Sequence, residues 1–143
     1  MVDNKVEGLI ITPTVRARPK LLELQEAGYP FVLVDRNFPN ITADYVGIDN
    51  AKASYDATDI MLKEGYREIG IVAFEPHLDV IKQRIEGYKN ALQDNGISVK
   101  KSHIRTISYQ DIQMQVKREV TAIVNNNIRG ILFTSNRIGI TGL

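Results

Sequence analysis

Polar clusters follow apolar, β-branched runs at six places in this chain: Thr12-Pro13-Thr14, Asp35-Arg36-Asn37, Asp49-Asn50, Glu75-Pro76-His77, Ser108-Tyr109 and Ser135-Asn136-Arg137. Carboxylates, carboxamides and guanidinium groups carry fixed forks of donors or acceptors that pair with vicinal hydroxyls, and an aromatic ring can lie against the apolar face of a sugar. A polyhydroxylated small molecule suits this chemistry. Asp, Asn and Ser also recur at caps and turns for reasons of backbone geometry, so at any one position ligation and local structure are alternative readings. Arg84 stands about one turn into the helix expected after Ile69 to Phe74, where its guanidinium either reaches the ligand edge or pairs with Asp79 or Glu86. Tyr88 falls on an apolar stripe and reads as core, and His77 and His103 are given no role.

Catalytic motifs are missing. No G-x-G-x-x-G follows a strand and no G-x-x-x-x-G-K-[ST] occurs, which disfavours nucleotide chemistry. With only two histidines there is no H-E-x-x-H and no G-x-S-x-G elbow with a base, so neither a metal site nor a hydrolase is expected. Zero cysteines exclude disulfides and thiolate sites. Eighteen Lys and Arg against seventeen Asp and Glu leave a net charge of +1, without the basic excess of a nucleic-acid binder. No apolar run approaches the roughly 18 residues of a membrane span, and the polar opening Met1 to Lys5 does not read as a signal peptide. At 43% hydrophobic and 24% charged, the composition is that of a globular domain.

The elements that must position these clusters alternate. Val6 to Thr12 reads as a strand buried on both faces, and Pro19 opens a helix carrying Leu21 and Leu24 that Gly28 stops. Phe31 to Asp35 is a second strand, Arg36 to Tyr45 a loop, and Val46 to Ile48 a brief extended piece. Asp49-Asn50 caps a helix with Ala53, Ala57, Ile60 and Met61 on its apolar face, ended by Gly65. Ile69 to Phe74 is a strand, and Ile81, Ile85, Tyr88 and Leu92 mark a helix that ends at Gly96. His103 to Ile107 is a weaker strand, followed by a helix bearing Ile112, Val116, Val120, Ile123 and Val124. Gly130 to Phe133 is the last strand, and Ser135-Asn136 caps a final helix. Such alternation specifies a doubly wound α/β fold with parallel sheets, in which ligands bind beyond the carboxyl ends of the strands. Both ends of the chain look unfinished, so the isolated chain is expected to be weakly stable or self-associating.

Several stretches, in order, resemble the effector-binding core of lactose-repressor and galactose-repressor (LacI/GalR) family regulators: Val6 to Ile11, Pro30 to Arg36, Val46 to Asn50, Gly65 to Gly70, Arg84 to Leu92, and Gly130 to Asn136. The resemblance implies a fragment of a two-lobed fold like that of type I periplasmic sugar-binding proteins. Residues 1–45 correspond to the later part of the first lobe, and 46–143 to the first crossover and most of the second lobe. Carried over singly, Arg84 in the R-x-x-G-[YW] pattern resembles the arginine that hydrogen-bonds sugar hydroxyls, and Asn136 resembles the asparagine of the family's Asn-Asp pair. Tyr109 falls where an aromatic residue often packs on the ligand, and Asp49 lies at the crossover lining the cleft. Arg137 departs from the family, which commonly has an acidic residue there; a cation favours an anionic or phosphorylated ligand.

The resulting expectation is the effector-binding region of a cytoplasmic LacI-family repressor that binds a sugar or sugar derivative without a metal or cofactor. It would work as a homodimer away from the membrane and contact DNA only through an N-terminal helix-turn-helix absent from this chain. The alternative is a periplasmic sugar-binding protein of a transport system. An α/β enzyme, for which Glu75 or His77 would have to act, is not expected.

Overall fold

The computed structural model describes residues 6–143; the polar opening of residues 1–5 lies outside them. The chain divides into two compact units, the first ending at Ile48 and the second running from Asp49 to Leu143.

The first unit contains β1 (Leu9–Ile11), α1 (Arg18–Glu26), β2 (Phe31–Val34) and β3 (Asp44–Val46). The strands are parallel in the order β1-β2-β3, with Ile11 opposite Leu33 and Leu33 opposite Tyr45. Pro19 sits in the first turn of α1, where its missing N–H costs nothing. Leu21 from α1 and Leu33 from β2 form a small core with Phe38 and Ile41. The stretch read as an open loop thus contributes two core side chains, closed by Ile41 N–H donating to the Phe38 carbonyl. Pairing with β2 sets β3 two residues earlier than the expected 46–48, and Asp35 ends β2 by taking a left-handed φ of 71°. One expectation fails here. β1 is not buried on both faces: Ile10 is 82% exposed, because the only helix of this unit among the described residues lies on the other side of the sheet.

The second unit contains α2 (Asn50–Lys63), β4 (Ile69–Phe74), α3 (Asp79–Asp94), β5 (Ile104–Ile107), α4 (Ile112–Asn125), β6 (Gly130–Phe133) and α5 (Asn136–Gly142), with a 3-10 turn at Lys101–His103. Its sheet is parallel in the order β5-β4-β6. All six residues of the central strand β4 are buried, so both faces are covered. A Cβ at Gly70 would point at Ile123 of α4, whereas the Ile69–Gly130 side faces Met61 of α2, which places those helices on opposite faces. α2 packs on α3 and α4 on α5. Each fully buried Ile, Leu or Val contributes about 1.5–3 kcal/mol, and sixteen buried residues form this core, so most of the chain's stability resides here. α3 ends as its sequence predicts: Gly96 takes φ 70° and Ile97 N–H closes on the Leu92 carbonyl at 2.9 Å.

α2 departs from its sequence pattern. Its buried residues are Asn50, Ser54, Thr58 and Leu62, while Ile60 is 61% exposed and Ala53 is exposed. The neighbouring α3 explains this: at Gly87 an added Cβ would lie 2.8 Å from the Ala51 carbonyl carbon and nearer still to its oxygen. Only small side chains fit such a backbone-to-backbone crossing. On α4 the stripe is narrower than read, because Val124 is 58% exposed.

Tyr88 is core, as its position on the stripe indicates, and its hydroxyl donates to the Ile69 carbonyl at 2.7 Å. Burial, with the Glu68 carboxylate nearby, pushes this phenol up to about 12. An unfolded tyrosine ionises at about 10, so the neutral phenol supports the fold fully below that pH and loses its contribution as pH rises toward 12. A spectrophotometric titration should show a late tyrosine step across that window, with stability falling in parallel. Tyr88→Phe should remove the step and cost about 1 kcal/mol; persistence of the step would assign it to another tyrosine.

Candidate functional site

In the second unit the carboxyl ends of β4, β5 and β6 lie at one edge of the parallel sheet, and the segments leaving them carry four of the five expected site residues: Arg84, Tyr109, Asn136 and Arg137. Asp49 stands at the start of α2 in the same unit.

Arg84 is the best-anchored of the five. Its Nε donates to Asn50 Oδ1 at 2.8 Å and an Nη donates to the Thr134 carbonyl. The guanidinium therefore joins α3 to the first residue of α2 and to the residue after β6. Asn50 is 1% exposed and Thr134 5%, so both acceptors are fixed inside the fold. Neither Asp79 nor Glu86 takes Arg84: they pair with Lys82 and Lys89. Of the two readings open in the sequence, the surface ion pair is set aside.

Tyr109 stacks on Phe74 with centroids 4.1 Å apart and planes at 8°. Phe74 ends β4 and is buried, whereas Tyr109 is 42% exposed, so Tyr109 covers Phe74 and alone presents an aromatic ring at the sheet edge. Gln115 on α4 locks the segment carrying Tyr109. Its Oε1 accepts from Ser108 N–H at 3.0 Å, and its Nε2 donates to Ser108 Oγ at 2.9 Å and to the Gln110 carbonyl.

Asn136 is exposed, and its Oδ1 accepts the Arg137 N–H at 2.8 Å, leaving the amide NH2 as its unused donor. Ser135 caps α5, accepting from Ile138 N–H at 3.3 Å. Asp49 is committed to structure, since its carboxylate caps α2 by accepting from Lys52 N–H at 2.8 Å. Arg137 is exposed and lines a shallow groove of about 590 Å³ between α4 and α5 with Asp111, Met114, Lys117 and Thr141. Arg84 is not among the residues lining that groove. The structure thus joins Arg84 to Asn50 and Thr134, and Tyr109 to Phe74, while Asp49 and Arg137 belong to separate local arrangements.

Asn50 and Gln115 escaped the sequence reading. Asn50 looked like half of a cap, and its partner lies 34 positions away. Gln115 could have been noticed as a polar residue one position before the apolar Val116. Glu75 and His77, the residues an enzyme reading would need, form a 3.0 Å pair on the surface. Among the described residues no group of three or more His, Asp or Glu is arranged to hold a metal ion, and no helix is long and apolar enough to cross a membrane.

Comparison with known proteins agrees with this architecture. The chain is 33% identical over 109 residues to the probable HTH-type transcriptional regulator EndR of Paenibacillus polymyxa, a match covering 74% of this chain and 32% of that one. It is 44% identical over 81 residues to the HTH-type transcriptional regulator PtxS of Pseudomonas putida, covering 57% of this chain and 23% of that one. Among solved structures it superposes on a transcription regulator from Lactobacillus plantarum with a TM-score of 0.84 at 23% identity, covering 98% of this chain and 53% of that one. A LacI-family regulatory protein from Chloroflexus aggregans gives 0.82 at 19% identity, covering 99% and 51%. The fold is therefore that of the type I periplasmic-binding-protein-like regulators, of which the chain spans about half the length. The model of periplasmic binding proteins and the sugar-binding domain of the LacI family matches residues 1–123, and the chain belongs to that family.

Proposed function

We propose that this chain is the effector-binding region of a LacI-family transcriptional regulator, taking a sugar or sugar-derived small molecule at the carboxyl edge of β4, β5 and β6. The observation that carries the reading is the Arg84 guanidinium, half-buried at that edge and held from two sides by Asn50 and Thr134. A donor fixed in this way binds a ligand oxygen without first losing side-chain entropy. Asn136 offers its free NH2, and the exposed Tyr109 ring, backed by Phe74, packs against the ligand's apolar face. Asp49, which caps α2, and Arg137, which lines a separate groove, stand outside this cluster and are at most peripheral contacts of the proposed ligand.

Residues 1–45 are the later part of a first lobe, and residues 46–143 are a crossover and most of a second. A ligand with different affinities for two lobe arrangements shifts the equilibrium between them, and DNA binding by a helix-turn-helix outside this chain follows in a cytoplasmic dimer. Binding, not turnover, is the chemistry. The curated relatives named above are HTH-type regulators, which supports this assignment.

The first test is to read the parent gene upstream of the Met1 codon. A helix-turn-helix in frame is the expected result. A signal peptide followed only by further strands of the first lobe would overturn the reading in favour of a periplasmic transport protein.

A further inference from the structure

Asn95 is the one asparagine of the chain's ten that precedes a glycine. That order matters chemically, because the main-chain nitrogen of the following residue is the nucleophile that attacks an asparagine side chain, and glycine brings it without a Cβ to obstruct the approach. The pair stands exposed at the end of α3, where Asn95 is the cap residue and Gly96 takes φ 70°.

Both reacting groups are held. Gly96 N–H donates to the Gln93 carbonyl at 2.9 Å, and Ile97 N–H to that of Leu92 at 2.9 Å. The Asn95 NH2 donates to the Ala91 carbonyl at 2.9 Å and to Asp59 Oδ1 on α2 at 3.3 Å. Attack requires rotation about the Asn95 Cα–C bond to swing the Gly96 nitrogen onto Cγ, and at ψ 14° these bonds oppose that rotation. The cap is thus a catch: closed, it keeps the nucleophile from the carbonyl carbon, and each local opening exposes the pair to reaction.

We propose that Asn95 is a site of spontaneous covalent modification whose product weakens the contact between α2 and α3. With the catch open, the Gly96 nitrogen bonds to Asn95 Cγ, the Cγ–Nδ2 bond breaks, and ammonia leaves with the proton that the Gly96 nitrogen gives up. Water then opens the cyclic imide at either carbonyl, which leaves aspartate or isoaspartate. Either product puts a carboxylate where an NH2 had served Asp59. Asp94, which accepts the Tyr55 hydroxyl at 3.0 Å, is adjacent in the chain, so three carboxylates come to one end of the helix pair, where Lys63 is already paired with Asp59 at 2.6 Å. Isoaspartate also adds a methylene to the main chain and throws the cap bonds out of register. The helix affected is the one that carries Arg84, so the modification strikes the scaffold of the candidate site.

The test is peptide mapping by mass spectrometry of the 143-residue chain after incubation in mildly alkaline buffer, once native and once in guanidinium chloride, with circular dichroism following the fold. In denaturant Asn95 should exchange NH2 for OH faster than any other asparagine, yielding both aspartate and isoaspartate; parity with the others would overturn the site. In the native chain Asn95 should react at least about ten-fold more slowly, and Asp59→Ala, which takes an acceptor from the catch, should recover part of that factor. A native rate equal to the denatured one would overturn the catch. Asn95→Asp, which installs one product from the start, should lower the urea midpoint of the second unit, and the shift should shrink with added salt. In the Asp59→Asn background, where the facing charge is gone, the same substitution should shift the midpoint far less. No shift in the parent, or a shift equal in both backgrounds, would overturn the weakening of the helix contact.

Discussion

Gly87→Val should lower the urea midpoint of the second unit severely, with a loss of about 3 kcal/mol or more against a total of about 5–15 kcal/mol for a domain. Even an alanine Cβ would lie 2.8 Å from the Ala51 carbonyl carbon and 3.0 Å from the Tyr55 backbone nitrogen. These obstacles are backbone atoms of α2, so no rotamer change relieves the overlap, and the helices must separate. Separation would also pull Asn50 away from Arg84, because both ride on this helix pair. Glycine inside a helix costs about 1 kcal/mol relative to alanine, so Gly87→Ala on an isolated helix would be stabilising. An unchanged or raised midpoint for Gly87→Ala would therefore show that α2 and α3 stand farther apart than described.

Arg84→Ala should weaken effector binding in the intact regulator by one to two decades, the loss of a charge-assisted hydrogen bond worth about 1.5–3 kcal/mol. It also strips a donor from two buried acceptors, Asn50 Oδ1 and the Thr134 carbonyl. Hydrogen exchange should accordingly quicken at the first turn of α2 and in the turn after β6 while β4 keeps its protection. Exchange that stays at the parent rate in both segments would mean that the clamp contributes nothing to their order. An effector titration matching the parent would remove Arg84 from the ligand set.

β4 and α3 were readable because each satisfies one dominant demand. A continuous apolar run of six suits a strand covered on both faces, and Ile81, Ile85, Tyr88 and Leu92 keep a helical period against it. α2 misled the same reasoning because its interior face is not apolar. Thr58 satisfies its own hydroxyl by donating to the Ser54 carbonyl at 2.8 Å, Asn50 is taken by Arg84, and the close crossing at Gly87 excludes larger side chains. Hydrophobic periodicity then selects Ala53 and Ile60, which face outward. The candidate site was legible in the same uneven way. Arg84 and Tyr109 announce themselves by residue type and place, but the oxygens that orient Arg84 come from 34 and 50 positions away, a relation that no local pattern encodes. The motif glycine at position 87 reads in sequence as part of a ligand signature; in the fold it is the point where two helix backbones meet.

The Phe74–Tyr109 stack also makes the protein its own optical sensor. The chain has six tyrosines and no tryptophan, so its near-ultraviolet circular dichroism is unmasked by indole and is dominated by tyrosines in asymmetric surroundings. Tyr88 is sealed in the core and gives a constant background, whereas Tyr109 is half open at the sheet edge and coupled face to face with a second ring. A compound that settles on that edge and turns the Tyr109 ring changes the signal without any dye or label. Candidate effectors can thus be ranked from the unmodified protein by its near-ultraviolet circular dichroism alone.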